Sequence, residues 1–442
     1  MKDFCAMKLN LLRDSVGLKA LIVGFLVLIL MIPTVMVMGL VHERKVRRNE
    51  VISEISDKWG EHQTISGPIL SVPYRQYFRD KEGVQKHSIE YLHFLPNNLS
   101  IKGELFPEKR YRSLYETVVY KSEIHMEGDF SFPDLSGLGV KEEDVEFEDA
   151  FFSLGVSDTK GISEKLEFTI NGAKLKLEPG LICKDVLASG VHARYPLKST
   201  NILKFEIATH INGSEYIHFT PVGKETNVQL KSSWPDPSFS GNYLPAHREI
   251  SQKGFSASWK VLNLNRNYPQ RWRKSEHKIS RSSFGVKLFI EADVYQQSMR
   301  SVKYGFMFIL FTFTAFFFCE ILNHRRVHPI QYLLIGLAIT IFYTLLLSIS
   351  EYIDFNSAYW ISTSAIVLMI TSYAKSVLKS TKMSLTVGTI LLILYIYLFI
   401  LLQLEDKALL LGSIGLFTVL GIAMYVTRNI DWYSLSSQPE DK

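Results

Sequence analysis

Residues 304–427 carry five long apolar runs separated only by short polar breaks. Inside a bilayer every backbone N–H and C=O has to be satisfied within the protein, so runs of this kind fold as helices. About 20 apolar residues cover a hydrocarbon core ~30 Å thick. The runs are 304–322, uncharged until Glu320, and 330–350, 357–374, 383–404 and 408–427, none of which holds a charge. We read five membrane helices here.

The breaks orient them. Arg325 and Arg326 lie in 323–329, Lys375, Lys379 and Lys382 in 375–382, and Arg428 follows the last run. Basic residues mark cytoplasmic ends. The alternate breaks, 351–356 and 405–407, hold Glu351, Asp354, Glu405 and Asp406 against Lys407 alone, which suits the external side.

A sixth run, 20–41, follows an arm with Lys2, Lys8, Arg13 and Lys19. It exceeds the ~7–15-residue apolar core of a secretory signal, so we read it as an uncleaved first helix, bent at Pro33. With 323–329 cytoplasmic, the helix from 304 starts outside. Residues 42–303 are then external and both ends cytoplasmic. The expected order is an arm at 1–19, a helix at 20–41, an external domain at 42–303, the five-helix block at 304–427 and a tail at 428–442.

Beyond the first helix, Arg44, Lys45, Arg47 and Arg48 form a basic cluster. Two readings are open for it: contact with lipid headgroups or an anionic envelope polymer, and a solvated helix extension. Val46, Val51, Ile52 and Ile55 stand at loosely helical spacing, so the helix continues as a stalk until Trp59-Gly60 stops it. From there the pattern turns extended. Stretches such as 69–74, 91–95, 115–124, 166–170, 203–209 and 216–221 read as short strands. Asn171-Gly172 and Asn212-Gly213 each predict a hairpin turn, where two successive positive φ angles are needed. The external domain is therefore mainly β. Its roughly 260 residues suit a two-lobed or extended arrangement better than one simple sandwich.

A net charge of +5 gives no electrostatic case for a nucleic-acid partner. Cys5, Cys183 and Cys319 fall inside, outside and within a helix, which excludes an intrachain disulfide and a zinc ribbon. Gly-x-Ser-x-Gly, His-Glu-x-x-His and phosphate-loop patterns are absent, so no hydrolase, zincin or nucleotide signature is present. His324 and His328 stand four apart beside Pro329, a spacing that makes a metal pair only on a helix. No catalytic residue, cofactor or metal is expected.

Candidate contact residues remain. Trp259, Arg266 and Trp272 lie in a stretch, 259–274, that mixes aromatic rings with cations, suited to stacking and cation–π contacts or to packing. Glu320 sits toward the cytoplasmic end of its run, with Arg325, Arg326 and His328 as prospective partners. Glu351 ends the next run on the external side. Ionisable groups at membrane depth are costly and often functional, so Glu320, Gln331 and Glu351 are the residues a transport or lipid-handling path would use. Gly412, Gly415 and Gly421 suggest close packing of the last helix.

Several local stretches carry a family resemblance: Ile32-Pro33, Glu43-Arg44, Trp59-Gly60, Gln63, Gly67-Pro68-Ile69-Leu70 and Val72-Pro73-Tyr74. Gly254-Phe255, Trp259, Arg266-Asn267-Tyr268-Pro269 and Lys303-Tyr304 continue it. So do Glu320, His328-Pro329-Ile330-Gln331-Tyr332, Phe342-Tyr343, Ser348-Ile349-Ser350-Glu351 and Ala358-Tyr359. Together they resemble the CreD family of inner-membrane proteins of Gram-negative bacteria, over nearly the whole chain. The resemblance implies a role in cell-envelope integrity, expression under a two-component system in some bacteria, and no established enzyme activity or catalytic residues. It implies a multi-pass protein of the bacterial inner membrane with a periplasmic β-rich domain. The bilayer and another envelope protein or polymer are then the expected partners.

Overall fold

The computed structural model describes residues 16–198, 202–288, 294–322, 327–404 and 408–428. The chain divides into two compact units, Met1–Arg48 with Ala292–Lys442, and Asn49–Glu291.

Helix α1 (Val16–Trp59) runs without interruption through Pro33, the expected span and the expected stalk. It ends where Gly60 adopts φ +139°, a conformation costly for any residue with a Cβ. The helical unit continues with α2 (Val294–Lys303), α3 (Gly305–Leu322), α4 (Pro329–Ser350), α5 (Phe355–Leu378), α6 (Thr381–Gln403) and α7 (Ala408–Thr427). Five of the described helices are long and apolar enough to cross a membrane, and α2 with α3, bent by 43°, make a sixth span if taken together. The extra helix α2 precedes the run at 304 because its sequence is amphipathic: Tyr295, Ser298, Ser301 and Val302 are buried while Arg300 and Lys303 close its last turn.

Caps set the boundaries of the later helices. The Asp354 carboxylate accepts from the Ser357 N–H at 2.8 Å to open α5, and Lys379 in the left-handed region closes it. Aromatic rings then lock α4, α5 and α6 together. Phe342 lies 5.5 Å from Tyr359 and 4.7 Å from Tyr395, and the Tyr359 hydroxyl donates to the Tyr395 carbonyl at 2.6 Å. Gly336 lets α1 approach α4, since a Cβ there would lie 2.0 Å from Leu30. Of the three glycines expected to pack α7, only Gly415 meets a neighbour, the Tyr397 ring; Gly412 and Gly421 face open space.

The β unit is two sheets over one core. Strands are numbered β1 to β17 in chain order. β1 (Gln63–Arg79), β2 (Gln85–Phe94), β5 (Phe151–Val156), β8 (Glu178–Pro179), β9 (Gly190–Arg194), β11 (Tyr216–Thr220), β13 (Pro237–Gly241), β16 (Arg271–Arg273) and β17 (Phe284–Leu288) form a nine-stranded sheet. The eight-stranded sheet has the order β14-β15-β12-β3-β4-β10-β6-β7, from β14 (His247–Ser251) and β15 (Gly254–Leu262) through β12 (Glu225–Ser232), β3 (Asn98–Arg112), β4 (Tyr115–Phe130) and β10 (Leu203–Ser214) to β6 (Glu167–Ile170) and β7 (Ala173–Lys174).

In the eight-stranded sheet burial alternates along β4, β10 and β12, one face in the core and the other in solvent. β5 is buried at every residue, so the centre of the nine-stranded sheet is covered on both faces. Phe152 joins the layers, its ring meeting Phe130 edge to face at 5.3 Å and lying tilted against Phe168 at 5.5 Å across the interior. A single cluster of buried side chains drawn from both sheets replaces the two-lobed arrangement suggested by length.

One turn expectation holds and one does not. Asn171 and Gly172 have φ +50° and +81° between β6 and β7, as the hairpin requires. Asn212 and Gly213 instead continue β10, paired with Lys121 and Tyr120, and the chain turns at Glu215, φ +58°. Gly213 is needed there for closeness, because a Cβ would meet the Tyr120 hydroxyl at 2.3 Å.

Candidate functional site

Glu320 is 5% exposed near the end of α3 and gathers three partners. Lys19 of α1 pairs with its carboxylate, the Val327 N–H donates to Oε1 at 2.8 Å, and the Tyr332 hydroxyl donates to Oε2 at 2.9 Å. It therefore ties α1, α3 and α4 at one end. Of the partners expected from sequence, Arg325 and Arg326 lie outside the described residues, as does His324. His328 is engaged otherwise, and the pairing with Lys19, 301 residues away, takes its place.

His328 and Gln331 form a capping box on α4. The Ile330 N–H donates to His328 Nδ1 at 3.3 Å, and the His328 N–H donates to Gln331 Oε1 at 2.9 Å. Pro329 at the first helical position fits the same start signal. Glu351 caps the opposite end of α4, some ~30 Å away at ~1.5 Å per residue. There it accepts from the Tyr295 hydroxyl at 3.2 Å and lies 3.9 Å from Arg44 Nε. The structure thus brings Glu320, His328 and Gln331 to one end and leaves Glu351 at the other.

In the aromatic-basic stretch of the β unit, the packing alternative is the one the structure adopts for Trp259, Arg266 and Trp272. Trp259 and Trp272 are each 2% exposed and Arg266 is 8% exposed. The Trp259 indole donates to the Tyr243 carbonyl at 3.2 Å, with its ring 5.8 Å from Phe239 and 5.6 Å from Phe284. Arg266 donates to the Pro221 carbonyl at 2.9 Å and lies 4.5 Å over the Tyr268 ring, with burial lowering its pKa. Rings of this size bury ~150–250 Å² each, and here packing in the core takes that area.

Exposed apolar residues lie beside this buried stretch. Leu264 is 88% exposed and Leu244 73%. The Tyr243 hydroxyl donates to the Asn265 carbonyl at 2.7 Å, and the Ala246 N–H donates to the Ser258 carbonyl at 2.8 Å. The loop bearing Leu244 is therefore fastened over the turn bearing Leu264.

A second polar group has no sequence signal. His93, Cys183 and Asp185 each offer a ligand atom, all within 4.8 Å of one another. Burial holds the His93 imidazole down to about 4 and pushes the Cys183 thiol up to about 12. Residues 93 and 183 are far apart in the chain, and no short motif joins them. The register of β1 with β2 sets His93 beside Ser71.

The family model described as "Inner membrane protein CreD" matches residues 15–433. The "Inner membrane protein CreD" of Escherichia coli (strain K12) is 34% identical over 420 residues, which is 93% of this chain and 92% of that protein.

Proposed function

The chain belongs to the CreD family of inner membrane proteins, and from that premise we propose that it supports cell-envelope integrity without an enzymatic step of its own. In this reading the β unit lies in the periplasm and meets another envelope protein, while the helices anchor it in the inner membrane. Both chain ends are cytoplasmic.

The observation that carries this reading is the Leu244–Leu264 surface. Two leucines 73% and 88% exposed are held on a loop and turn fastened by hydrogen bonds. Fixed apolar side chains in water are what a protein contact covers. The carboxylates point the same way, because Glu320 and Glu351 are spent on helix ends. The crossing order is supported by those pairs: Lys19 and Arg44 of α1 meet the far end of α3 and the far end of α4 respectively.

The test is complementation of a deletion strain scored by detergent and dye sensitivity. A Leu244→Asp/Leu264→Asp variant at normal membrane level is expected to lose rescue, and full rescue would remove the contact surface.

A second reading rests on buried hydroxyls. Tyr343 and Tyr395, whose rings flank Phe342, bury hydroxyls that find no hydrogen-bond partner among the described residues. Inside a helical bundle such groups suit water or a polar headgroup, as a transporter or lipid-handling protein requires. They join Glu320, Gln331 and Glu351 as the residues such a path would use. Loss of rescue on Tyr343→Phe/Tyr395→Phe would favour it.

A further inference from the structure

We propose that His93, Cys183 and Asp185 form a binding site for one zinc ion on the outer face of the nine-stranded sheet, with a fourth position open to water. Register places the site. His93 stands directly across from Ser71 of β1 on one side and Trp272 of β16 on the other, so all three project from the same face. Phe152, next to the Ser71-paired Phe151, points the opposite way into the core. Cys183 and Asp185 come from the loop between β8 and β9, which folds over that outer face.

The loop is held in place independently of any ion. The Gly180 N–H donates to the Gly190 carbonyl at 3.0 Å, His192 Nδ1 donates to the Gly180 carbonyl at 2.8 Å, and the Val156 N–H donates to the Ser189 carbonyl at 3.2 Å. Leu187 packs where a Cβ on Gly155 would otherwise sit. The ligands are thus presented on a fastened segment.

His93 carries the argument. It is 2% exposed, and its Nδ1 is engaged with the Ser71 hydroxyl at 3.0 Å. Its Nε2 is buried without a hydrogen bond, although Asp185 Oδ2 stands 3.5 Å away. A buried ring whose other nitrogen is held by a serine hydroxyl, with its free nitrogen near a thiol and a carboxylate, is the arrangement that metal-ligating histidines show. The Asp185 N–H also points at Cys183 Sγ, 3.4 Å away, which suits a sulfur that carries negative charge. Zinc takes nitrogen, sulfur and carboxylate oxygen together at ~2.0–2.3 Å. The half-exposed Asp185 carboxylate has room to make the small approach this needs. On binding, the thiol loses one proton to solvent and the thiolate, imidazole and carboxylate donate their lone pairs, with no change of oxidation state.

The test uses the full-length protein in detergent, stripped with a chelator and titrated with zinc chloride against a chromophoric competitor. One zinc per chain is expected, with Cys183 protected from alkylation while Cys5 and Cys319 are unchanged, read by peptide mass spectrometry. Cobalt in its place is expected to give a thiolate charge-transfer band that Cys183→Ser abolishes. Cys183→Ser and Asp185→Asn are each expected to weaken zinc uptake about tenfold or more. Matching melting curves of the zinc-free variants and wild type separate lost ligation from lost fold. No stoichiometric uptake, or an alkylation rate at Cys183 indifferent to zinc, would overturn the site.

Discussion

Phe152 and Glu320 are both almost completely buried, at 0% and 5% exposure, yet they hold their units together in different ways. Phe152 sits among Phe130, Phe168 and Tyr195 in a core assembled from two sheets. Its sequence neighbours Phe151 and Ser153 are buried as well, on a strand covered on both faces. Glu320 sits among helices that are apolar on every side, where one carboxylate with Lys19 and Tyr332 fixes which helix ends meet. Water drives apolar burial in the first case. In lipid the apolar surface is neutral toward packing, and the few polar contacts and close-fitting small residues specify it. The contrast teaches that a buried charge can be architectural, and that function is to be sought where exposed apolar groups are held against water.

The largest expected effect is on topology. In a background with the native cysteines replaced by serine, Leu264→Cys should react with an impermeant maleimide added to the periplasmic face. Lys379→Cys should react only after lysis, an all-or-none difference. The reverse pattern would place the β unit in the cytoplasm.

Next in size is the core. Phe152→Ala should destabilise the β unit by about 3–5 kcal/mol, read as denaturant unfolding of the full-length protein in detergent. A loss below ~1 kcal/mol would mean that the sheets do not share one core.

Glu320→Gln should cost the helical unit about 1–3 kcal/mol, because Lys19 loses its counter-charge while the Tyr332 hydroxyl keeps an acceptor. Thermal melting in detergent measures it. A melting curve unchanged from wild type would leave the helix ends held by packing alone.

The smallest effect is a pH dependence. His218 is held down to about 4 by burial and then by the nearby His62, against ~6.5 in an unfolded chain. The fold thus favours the neutral ring, and the unfolded chain takes up its proton first as pH falls. The stability of the β unit should be complete above about pH 6.5 and decline towards pH 4, less steeply in His218→Gln. Equal slopes in the two proteins would assign the decline to other groups.

How much of this is legible in the sequence differs between the units in the same way. The membrane runs, the stalk ending at Trp59-Gly60 and the strand-rich insert follow from hydropathy, periodicity and turn residues, because those signals are local. Helix α2 is missed because its polar face hides it beside the apolar run of α3. Asn212-Gly213 misleads because a glycine wanted for closeness to Tyr120 has the same letters as one wanted for a turn. Trp259, Arg266 and Trp272 read first as packing with surface contact as the alternative, and the fold places them in the core. Lys19 with Glu320, and His93 with Cys183, are pairings across the chain that no spacing encodes. His328 and Gln331 carry a signal that was there to be read, a capping box opening at Pro329.

The most direct test of the claim that the helices anchor and the β unit acts is complementation by a Glu320→Gln/Glu351→Gln variant, expressed in the membrane at the wild-type level. Detergent and dye resistance equal to wild type is the predicted result. Lost rescue at matched expression would contradict the account and make the membrane carboxylates part of the activity.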